Sequence, residues 1–394
     1  MHLLIDALLL VVATPLLLIG AYLLLLTLLS GRPQPPPSAD PRTRFLLVVP
    51  AHDEAGGIGR TVKSLLALEW PAEARRVHVI ADNCSDDTAA IARAAGAEVT
   101  ERSHASLRGK GYALQVAYDQ AIAEGWCDAV VVVDADTDVD PGLLRAFAGR
   151  IQLGAQAVQA FYGVRNPRAS WRTRLVTLAL AIFHRLRGRG RERLRVSCGL
   201  RGNGMCFALD TLRRVPHNAF SRVEDLEYGV ALGRAGIRVW YADEAEVRAD
   251  MVASEKASRS QRQRWEGGRF EFARAQGGPL LRDAVRGRSA LLLDLAADVL
   301  TPPLGYFGLG AILLALGAVL LWVLGVVMPV TALLSGLPLA VLVVHVARGV
   351  SLSGLGARGW LDLAAAPVYV LWKLSLVLRR RASSKAWVRT ERDE

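Results

Sequence analysis

The sequence has little cysteine and no clustered histidine, which limits the classes of protein it can belong to. Its 394 residues include four cysteines, none in a Cys-x-x-Cys pair, and seven scattered histidines without metal-ligand spacing. Four cysteines are too few to stabilise a chain of this length by disulfide bonds, so a disulfide scaffold is excluded. Such cysteines are typical of a protein in a reducing compartment. Disorder is excluded as well, because 52% of the residues are hydrophobic and 22% are charged.

The N-terminus carries a long apolar run. Residues 3–29 are almost uninterrupted aliphatic sequence, which exceeds the roughly 20 residues that a helix needs to cross a membrane. A cleaved secretory signal has a basic start and a shorter apolar run. We therefore expect residues 1–30 to be a retained transmembrane anchor and the proline-rich residues 31–42 to be a stiff linker. Three arginines place the following domain in the cytoplasm: Arg32, Arg42 and Arg44.

The C-terminal quarter is apolar again, and we expect residues 281–378 to form a membrane region of three or four helices. Three runs look membrane-spanning: residues 304–327, 330–346 and 360–378. A fourth, residues 289–303, carries two aspartates and either lies in the membrane interface or spans with its carboxylates facing other helices. The basic tail, residues 379–394, should share the cytoplasm with the central domain. This favours four C-terminal spans and five in all, although Arg348 and Arg358 would then lie outside.

Between residues 43 and 280, short apolar runs alternate with helical segments. The pattern predicts strands at residues 45–49, 77–81 and 130–133, and helices at residues 58–68 and 88–95. This alternation is typical of an α/β domain with a mostly parallel central sheet, whose strands are apolar because both faces of the sheet are buried.

Each predicted strand is followed by polar residues that are rich in acid. These segments are Pro50 to Glu54, Asp82 to Asp87, and Asp134-Ala135-Asp136. Ligands of open α/β sheets bind at the carboxyl ends of strands, so we expect the segments to meet at one edge. Alternate side chains of an extended chain point the same way, which lets Asp134 and Asp136 face one divalent ion. Magnesium bound by one or two carboxylates completes its shell with water and phosphates, which fits a nucleoside diphosphate.

These segments and several later ones resemble the motifs of family 2 glycosyltransferases with the GT-A fold. The matching motifs are Val49-Pro50-Ala51-His52-Asp53-Glu54, Ala81 to Thr88, Gly109-Lys110-Gly111, Asp134-Ala135-Asp136, Gly202-Asn203-Gly204, Glu224-Asp225 and Gln261-Arg262-Gln263-Arg264-Trp265. The last run has the Q-x-x-R-W spacing of the membrane-embedded branch, which includes cellulose, hyaluronan and poly-N-acetylglucosamine synthases and ceramide-glucosyltransferase-like enzymes. As departures, Asp53 stands where the family often has Asn, and Ala81 stands where the second cluster often has an acid.

The resemblance implies a role for each motif. Asp225 would be the catalytic base that takes the proton of the acceptor hydroxyl. Donor binding would fall to Pro50, Ala51, Glu54, Asp82, Lys110, Asp134, Gln261, Arg264 and Trp265. The acceptor side would be formed by Gly202, Asn203, Gly204 and Glu224. Asp136, together with Asp134, would hold Mg2+ or Mn2+, which neutralises charge on the leaving group. Plainer alternatives stay open, since Asp82 could belong to a turn, Lys110 to a solvated loop and Trp265 to the core.

Residues 165–195 are dense in arginine and surround an apolar core at residues 175–183. A basic amphipathic helix is typical of a membrane-surface element, and anionic headgroups attract such segments. A solvated loop or a nucleic-acid patch is the alternative. Because the flanking spans already hold the domain at the bilayer, lipid contact is favoured.

The sequence thus predicts a membrane-bound inverting glycosyltransferase of a bacterial plasma membrane, which transfers a sugar from a UDP-sugar to a lipid or a cell-envelope glycan. Single transfer is favoured over a processive polysaccharide synthase, unless the protein pairs with itself or with a second synthase subunit. A nucleic-acid-binding membrane protein would leave the carboxylates at the strand ends unexplained, because they repel phosphates. A transporter does not need so large a soluble-type domain. We therefore expect membrane lipids as partners and no nucleic acid.

Overall fold

The structure is a computed structural model that describes residues 2–37, 39–251 and 255–363, with side chains throughout these ranges except at residues 255–265. Its strands are β1 Phe45–Ala51, β2 Arg75–Asp82, β3 Glu98–Arg102, β4 Ala129–Val132, β5 Thr137–Val139, β6 Ala157–Val164, β7 Met205–Ala208 and β8 Val239–Ala249. Its helices are α1 His2–Leu28, α2 Ile58–Leu66, α3 Thr88–Ala94, α4 Lys110–Glu124, α5 Leu143–Gln152, α6 Trp171–Leu180, α7 Arg187–Arg193, α8 Leu209–Arg214, α9 Glu224–Arg234, α10 Glu255–Arg286, α11 Ala290–Leu300, α12 Leu304–Val323, α13 Pro329–Leu352 and α14 Ala357–Asp362. A π-helical segment, Ala181–Leu186, joins α6 to α7.

One mixed sheet organises the central domain. Its strand order is β3-β2-β1-β4-β7-β6-β8-β5. Strands β3, β2, β1 and β4 are parallel, as are β6 and β8, whereas β7 is antiparallel to β4 and β6, and β5 is antiparallel to β8. The prediction of an α/β domain with a mostly parallel sheet is confirmed, and the three predicted strands correspond to β1, β2 and β4.

The first strand shows why apolar runs form the centre of this sheet. Phe45, Leu47 and Val49 belong to the hydrophobic core on one face of the sheet, and Leu46 and Val48 belong to the core on the other. Each such side chain contributes about 1.5–3 kcal/mol when it is fully buried. Helix α2 turns one apolar stripe to the first of these cores. A continuous apolar run followed by an amphipathic helix therefore produces the observed β1–α2 unit.

Three of the described helices are long and apolar enough to cross a membrane, namely α1, α12 and α13. At one end of this group, His2 Nδ1 lies 2.9 Å from the carbonyl oxygen of Val326, in the turn between α12 and α13. At the other end, Arg348 Nε donates to Ser30 Oγ at 2.9 Å. The chain enters the α/β domain soon after Ser30, so Arg348 lies at the domain end of these helices.

This arrangement corrects part of the predicted topology. Within residues 289–303 the structure forms α11, and a helix of 11 residues is about 16 Å long, which is too short to cross a membrane. The fourth C-terminal span is therefore wrong. The placement of Arg348 and Arg358 away from the central domain is wrong too, since Arg358 lines a cavity together with residues of β6 and β8. Most of the run at 360–378 and the whole tail at 379–394 lie outside the described residues.

Four arginines of the arginine-rich stretch point into the protein. Arg191 is fully buried and lies 3.0 Å from Asp298 and 3.3 Å from Asp294, both in α11. Arg187 lies 3.4 Å from Asp298, and the hydroxyl of Tyr22 in α1 donates to Asp294 at 2.9 Å. Two further arginines pair with acids of β8: Arg185 and Arg189. The membrane-surface interpretation of these arginines is therefore wrong, because they form a buried ion-pair network that joins the α/β domain to α1 and α11.

Candidate active site

The carboxyl ends of β1, β2 and β4 lie side by side at one edge of the sheet. Ala51 pairs with Ala81, and Val48 pairs with Val132, in parallel register. The three acidic segments therefore leave the sheet at the same edge. The loop at residues 202–204 joins them there, because its last N–H donates to the carbonyl oxygen of Val132 at 3.0 Å.

Lys110 connects the parts of this edge. It is the first residue of α4, and its ammonium group contacts the carboxylate of Asp134 and donates to the carbonyl oxygen of Gly202 at 2.5 Å. Glu224 Oε1 lies 4.0 Å from the same nitrogen. Because these partners come from three segments that are distant in sequence, one lysine gathers the turn after β4, the loop 202–204 and the start of α9. Lys110 therefore supplies part of the positive charge that, from the sequence alone, we expected a metal ion to supply.

Two adjacent acids begin α9, and burial changes their acidity. Burial and the neighbouring charge of Asp225 raise the pKa of Glu224 to about 7, although Lys110 opposes the shift. Burial likewise raises the pKa of Asp225, opposed by Lys110 and by the N–H of Leu226, which donates to Asp225 Oδ1 at 2.8 Å. For Lys110, burial favours the neutral form, but the charges of Asp134 and Glu224 outweigh it and raise the pKa. A carboxylate with a raised pKa is a stronger base, which suits proton abstraction from a hydroxyl.

The loop 202–204 needs backbone conformations that favour glycine. Gly202 and Gly204 have φ values of +77° and +68°, and a Cβ on Gly204 would lie 2.7 Å from a valine of β8. A Cβ on Gly202 would lie 3.5 Å from Asp225 Oδ2. Between the two glycines, Asn203 is fully buried and its Oδ1 accepts the N–H of Asp134 at 3.1 Å. The loop therefore passes close to Asp225 and is fixed to the Asp134 turn.

A residue that the sequence motifs did not indicate holds this loop in place. Gln159, buried in β6, donates to the carbonyl oxygen of Asn203 at 2.7 Å and accepts the N–H of Arg201 at 2.9 Å. Asn203 Nδ2 in turn donates to Thr137 Oγ1 at 2.8 Å. A glutamine within an otherwise apolar strand is the signal that could have identified it, because a buried amide needs partners.

A second residue that the sequence motifs did not indicate, Arg102, lies in the region predicted to bind the nucleotide base. Asp82 is buried at the end of β2 and forms a salt bridge with Arg102 at the end of β3. Asp53 has a φ of +52°, a left-handed conformation that Asn and Asp adopt more readily than most residues. This explains why Asp53 can replace the family's Asn. The other predicted residues of this region lie at the end of β1 and in the loop after it: Pro50, Ala51 and Glu54.

Asp134 and Asp136 flank a buried alanine in the turn after β4. Both aspartates are partly exposed, whereas Ala135 is buried, so a ligand can reach both side chains. Carboxylate oxygens are the ligands that Mg2+ and Mn2+ prefer. The two residues therefore fit a hard divalent ion, which would share Asp134 with Lys110.

A second group of possible ligands lies in the loops after β1 and β2. Ligand atoms of Asp53, Cys84 and Asp86 come within 4.8 Å of one another. Burial raises the pKa of the Cys84 thiol, which keeps it protonated, and a thiol is a poor ligand for a hard cation. Asp53 is also used inside the loop, where its Oδ1 accepts the N–H of Ser85 at 2.6 Å. The pair at 134 and 136 is the better candidate for a hard ion.

The Q-x-x-R-W run lies on α10. The side chains of Gln261, Arg264 and Trp265 are outside the described part of the structure. Their predicted contacts with the donor and the acceptor therefore stay predictions.

The central domain matches a known family of transferases. Residues 41–268 match the family described as glycosyltransferase-like family 2. The match covers more than half of the chain, so the chain belongs to this family and is a glycosyltransferase.

Two relatives show how far the likeness extends. The β-monoglucosyldiacylglycerol synthase of Synechocystis sp. is 27% identical over 245 residues, which are 59% of this chain and 49% of that protein. The chain therefore spans about half the length of this curated relative. A solved mannosyltransferase from Pyrobaculum calidifontis, in complex with GDP-Man and Mn2+, is 17% identical, with a TM-score of 0.52 over 87% of this chain and 98% of the other. That likeness shows the GT-A-like fold.

Proposed function

We propose that the protein is an inverting glycosyltransferase that moves a sugar from a UDP-sugar to the hydroxyl group of a membrane lipid. The observation that carries the proposal is the convergence of Lys110, Asp134, Gly202 and the Glu224-Asp225 pair at the carboxyl edge of the sheet. This arrangement places a cation that can face a diphosphate next to buried carboxylates that can accept a proton.

Each group then has one task in the transfer. Asp225 takes the proton of the acceptor hydroxyl while that oxygen attacks the anomeric carbon from the side opposite the diphosphate. The bond between the anomeric carbon and the diphosphate oxygen breaks, and UDP leaves with the bonding electrons. Lys110 stabilises the negative charge of the diphosphate, and Asn203 keeps the loop 202–204 in place beside Asp225. Asp134 and Asp136 would hold a divalent ion, which would further neutralise the charge of the leaving group.

A lipid acceptor is supported by the position of the domain against membrane-type helices. Helices α1, α12 and α13 could cross a membrane, and the relative from Synechocystis sp. is named for a glucosylated diacylglycerol. A processive polysaccharide synthase is the second candidate. It is less favoured because a translocation channel usually needs many helices, and the described residues contain three that are long and apolar enough. Arg32, Arg348 and Arg358 lie at the domain end of these helices, so the positive-inside rule supports a cytoplasmic catalytic domain.

A donor and acceptor screen tests the proposal. The purified full chain in lipid nanodiscs is incubated with Mn2+ or Mg2+, diacylglycerol and, in turn, UDP-glucose, UDP-N-acetylglucosamine or GDP-mannose. We expect release of UDP that depends on diacylglycerol, together with a glycolipid of one fixed size on chromatography. Chelation of the metal and Asp136→Ala should both abolish turnover, whereas Asp210→Ala, at an exposed site in α8, should leave it unchanged. A ladder of products would instead favour the polysaccharide synthase, and turnover that survives both metal removal and Asp136→Ala would contradict the assigned site.

A further inference from the structure

A cavity of about 420 Å3 lies between the α/β domain and the segment that follows α13. Its walls are the end of β6, one side of α6, two residues of β8 and residues 353–358. The volume is within the range of small-molecule sites, about 300–1,000 Å3. Among the residues whose side chains the structure describes, none of those assigned to the donor, the metal ion or the acceptor lines this cavity.

The walls of this cavity carry far more positive than negative charge. Within the described part of the chain, one acid lines it, Glu246, against five arginines: Arg168, Arg174, Arg185, Arg248 and Arg358. Glu246 pairs with Arg185 and Arg248, and Arg174 pairs with Asp362 at 2.6 Å.

Two arginines are left over after this pairing. Among the described residues, Arg168 and Arg358 have no ion-pair partner, and both side chains are exposed. Arg168 precedes α6, and Arg358 lies in α14, so they approach the cavity from the α/β domain and from the membrane region respectively. Two unpaired positive charges on the wall of one cavity attract an anion into it.

The cavity lies where the membrane helices meet the α/β domain. Residues 353–358 follow directly on α13, one of the three candidate spans. Beside the cavity, Leu178, Ile182 and Val350 form a buried apolar cluster against which Leu355 packs. Helix α13 itself exposes apolar side chains, among them Val343 and Val344.

We propose that this cavity binds the phosphate group of an anionic phospholipid, at a site separate from the active site. Guanidinium groups bind phosphate oxygens through paired, charge-assisted hydrogen bonds, and Arg168 and Arg358 provide two of them. The acyl chains lie along the apolar surface of α13. Free phosphate has no apolar part that could contact that surface, so a lipid is the favoured source of the anion. The proposal does not depend on the proposed acceptor, because the described side chains of the active site do not line the cavity.

Native mass spectrometry of the purified full chain in detergent tests the lipid site. The measured quantity is the fraction of protein that carries added phosphatidylglycerol or phosphatidylcholine. A basic residue at an anionic lipid surface is worth about fivefold in affinity, or about 1 kcal/mol. The pair Arg168→Gln and Arg358→Gln should therefore weaken phosphatidylglycerol binding about 25-fold. Phosphatidylcholine carries the same phosphate group, but its ammonium group offsets that charge, so its weaker binding should fall less. The pair Arg168→Lys and Arg358→Lys should keep more of the affinity for phosphatidylglycerol than the glutamine pair does.

The matched control removes two exposed arginines elsewhere, with Arg145→Gln on α5 and Arg213→Gln on α8. It lowers the net charge equally and should leave binding unchanged. Thermal unfolding and UDP release check that each variant is folded. The proposal is overturned if phosphatidylcholine binds as well as phosphatidylglycerol, if the control pair loses as much affinity, or if millimolar inorganic phosphate displaces the lipid and so shows a simple phosphate site. Should the glutamine pair unfold the protein, the lysine pair and the phosphate competition still decide the question.

Discussion

Replacing Lys110 by methionine should move the pH profile of the enzyme in a predictable direction. The ammonium group lies 4.0 Å from Glu224 and contacts Asp134, and its charge lowers the pKa of both Glu224 and Asp225. Methionine keeps an unbranched side chain and removes the charge, so both carboxyl groups then hold their protons to higher pH. Because the base acts in its ionised form, the acidic limb of kcat/KM moves to higher pH.

The size of this shift follows from the distance. Two unit charges 4 Å apart interact by about 4 kcal/mol at an effective dielectric constant near 20, and by about 1 kcal/mol in water. One pKa unit corresponds to about 1.4 kcal/mol. At the distance of Glu224 this interaction corresponds to about 0.7 to 3 pKa units, and the pKa of Asp225, the proposed base, should shift in the same direction. The acidic limb should therefore move to higher pH, and the loss of activity should be largest at low pH and should diminish as the pH rises.

The assay is UDP release as a function of pH at low donor concentration. Loss of a phosphate contact alone would lower kcat/KM by the same factor at every pH and so would move the whole profile down. Loss of the electrostatic coupling would instead move the acidic limb along the pH axis. Lys63→Met, at an exposed position of α2, is the matched control and should leave the profile unchanged. An acidic limb that stays in place or moves to lower pH in Lys110→Met would refute the electrostatic coupling between this lysine and the two acids.

Three further predictions use the same purified protein. Asp225→Asn keeps the shape of the side chain but removes the base, so kcat should fall by about 10²–10⁴-fold with donor affinity retained, as measured by UDP release and calorimetry; an active variant would exclude Asp225 as the base. Gly111→Ala places a Cβ 2.3 Å from a backbone carbonyl oxygen and should lower the free energy of unfolding by about 1–3 kcal/mol. Gly56→Ala, with open space around it, is the control and should leave that free energy unchanged. Equal melting curves for the two variants would contradict the close contact at Gly111. Asp298→Asn removes the counter-charge of buried arginines and should cost about 3–5 kcal/mol in denaturant unfolding, while the exposed Asp210→Asn should cost almost nothing; a stable Asp298→Asn protein would show that the network is dispensable.

The sheet and the acidic edge could be predicted from the sequence because both depend on local patterns. An apolar run such as residues 130–133 forms a strand wherever both faces of a sheet are covered, and the polar turn after it follows from the end of that strand. Parallel pairing then brings the turns together whatever their distance in sequence. The D-x-D turn was predicted for this reason, whereas the glycines of the loop 202–204 were identified through the resemblance to family 2 glycosyltransferases.

The buried charges could not be predicted in the same way. Arg191 and its neighbours have the spacing of a helix that faces solvent or headgroups, and nothing on the helix itself shows that two aspartates, about a hundred residues later, will face it. Asp294 and Asp298 likewise interrupt a run that has the composition of a membrane span. Their ion pairs form between distant segments, and composition cannot distinguish apolar sequence packed against protein from apolar sequence packed against lipid. Gln159 and Arg102 were missed for the same reason, since each acts through a partner on another strand or loop.

Helix α11 connects the candidate base to the membrane-type helices. Asp225 lies on α9, and α9 packs on α11 through Val230 and Leu295. The two helices approach closely because Gly233 has no side chain: a Cβ there would lie 2.3 Å from Leu295 Cδ1. Helix α11 is in turn bonded to α1 through Asp294 and Tyr22. The position of the base is therefore fixed relative to helices that could cross the bilayer. A catalytic group held at a constant height above a membrane suits an acceptor that is itself confined to the membrane, and this favours a lipid hydroxyl over a soluble glycan.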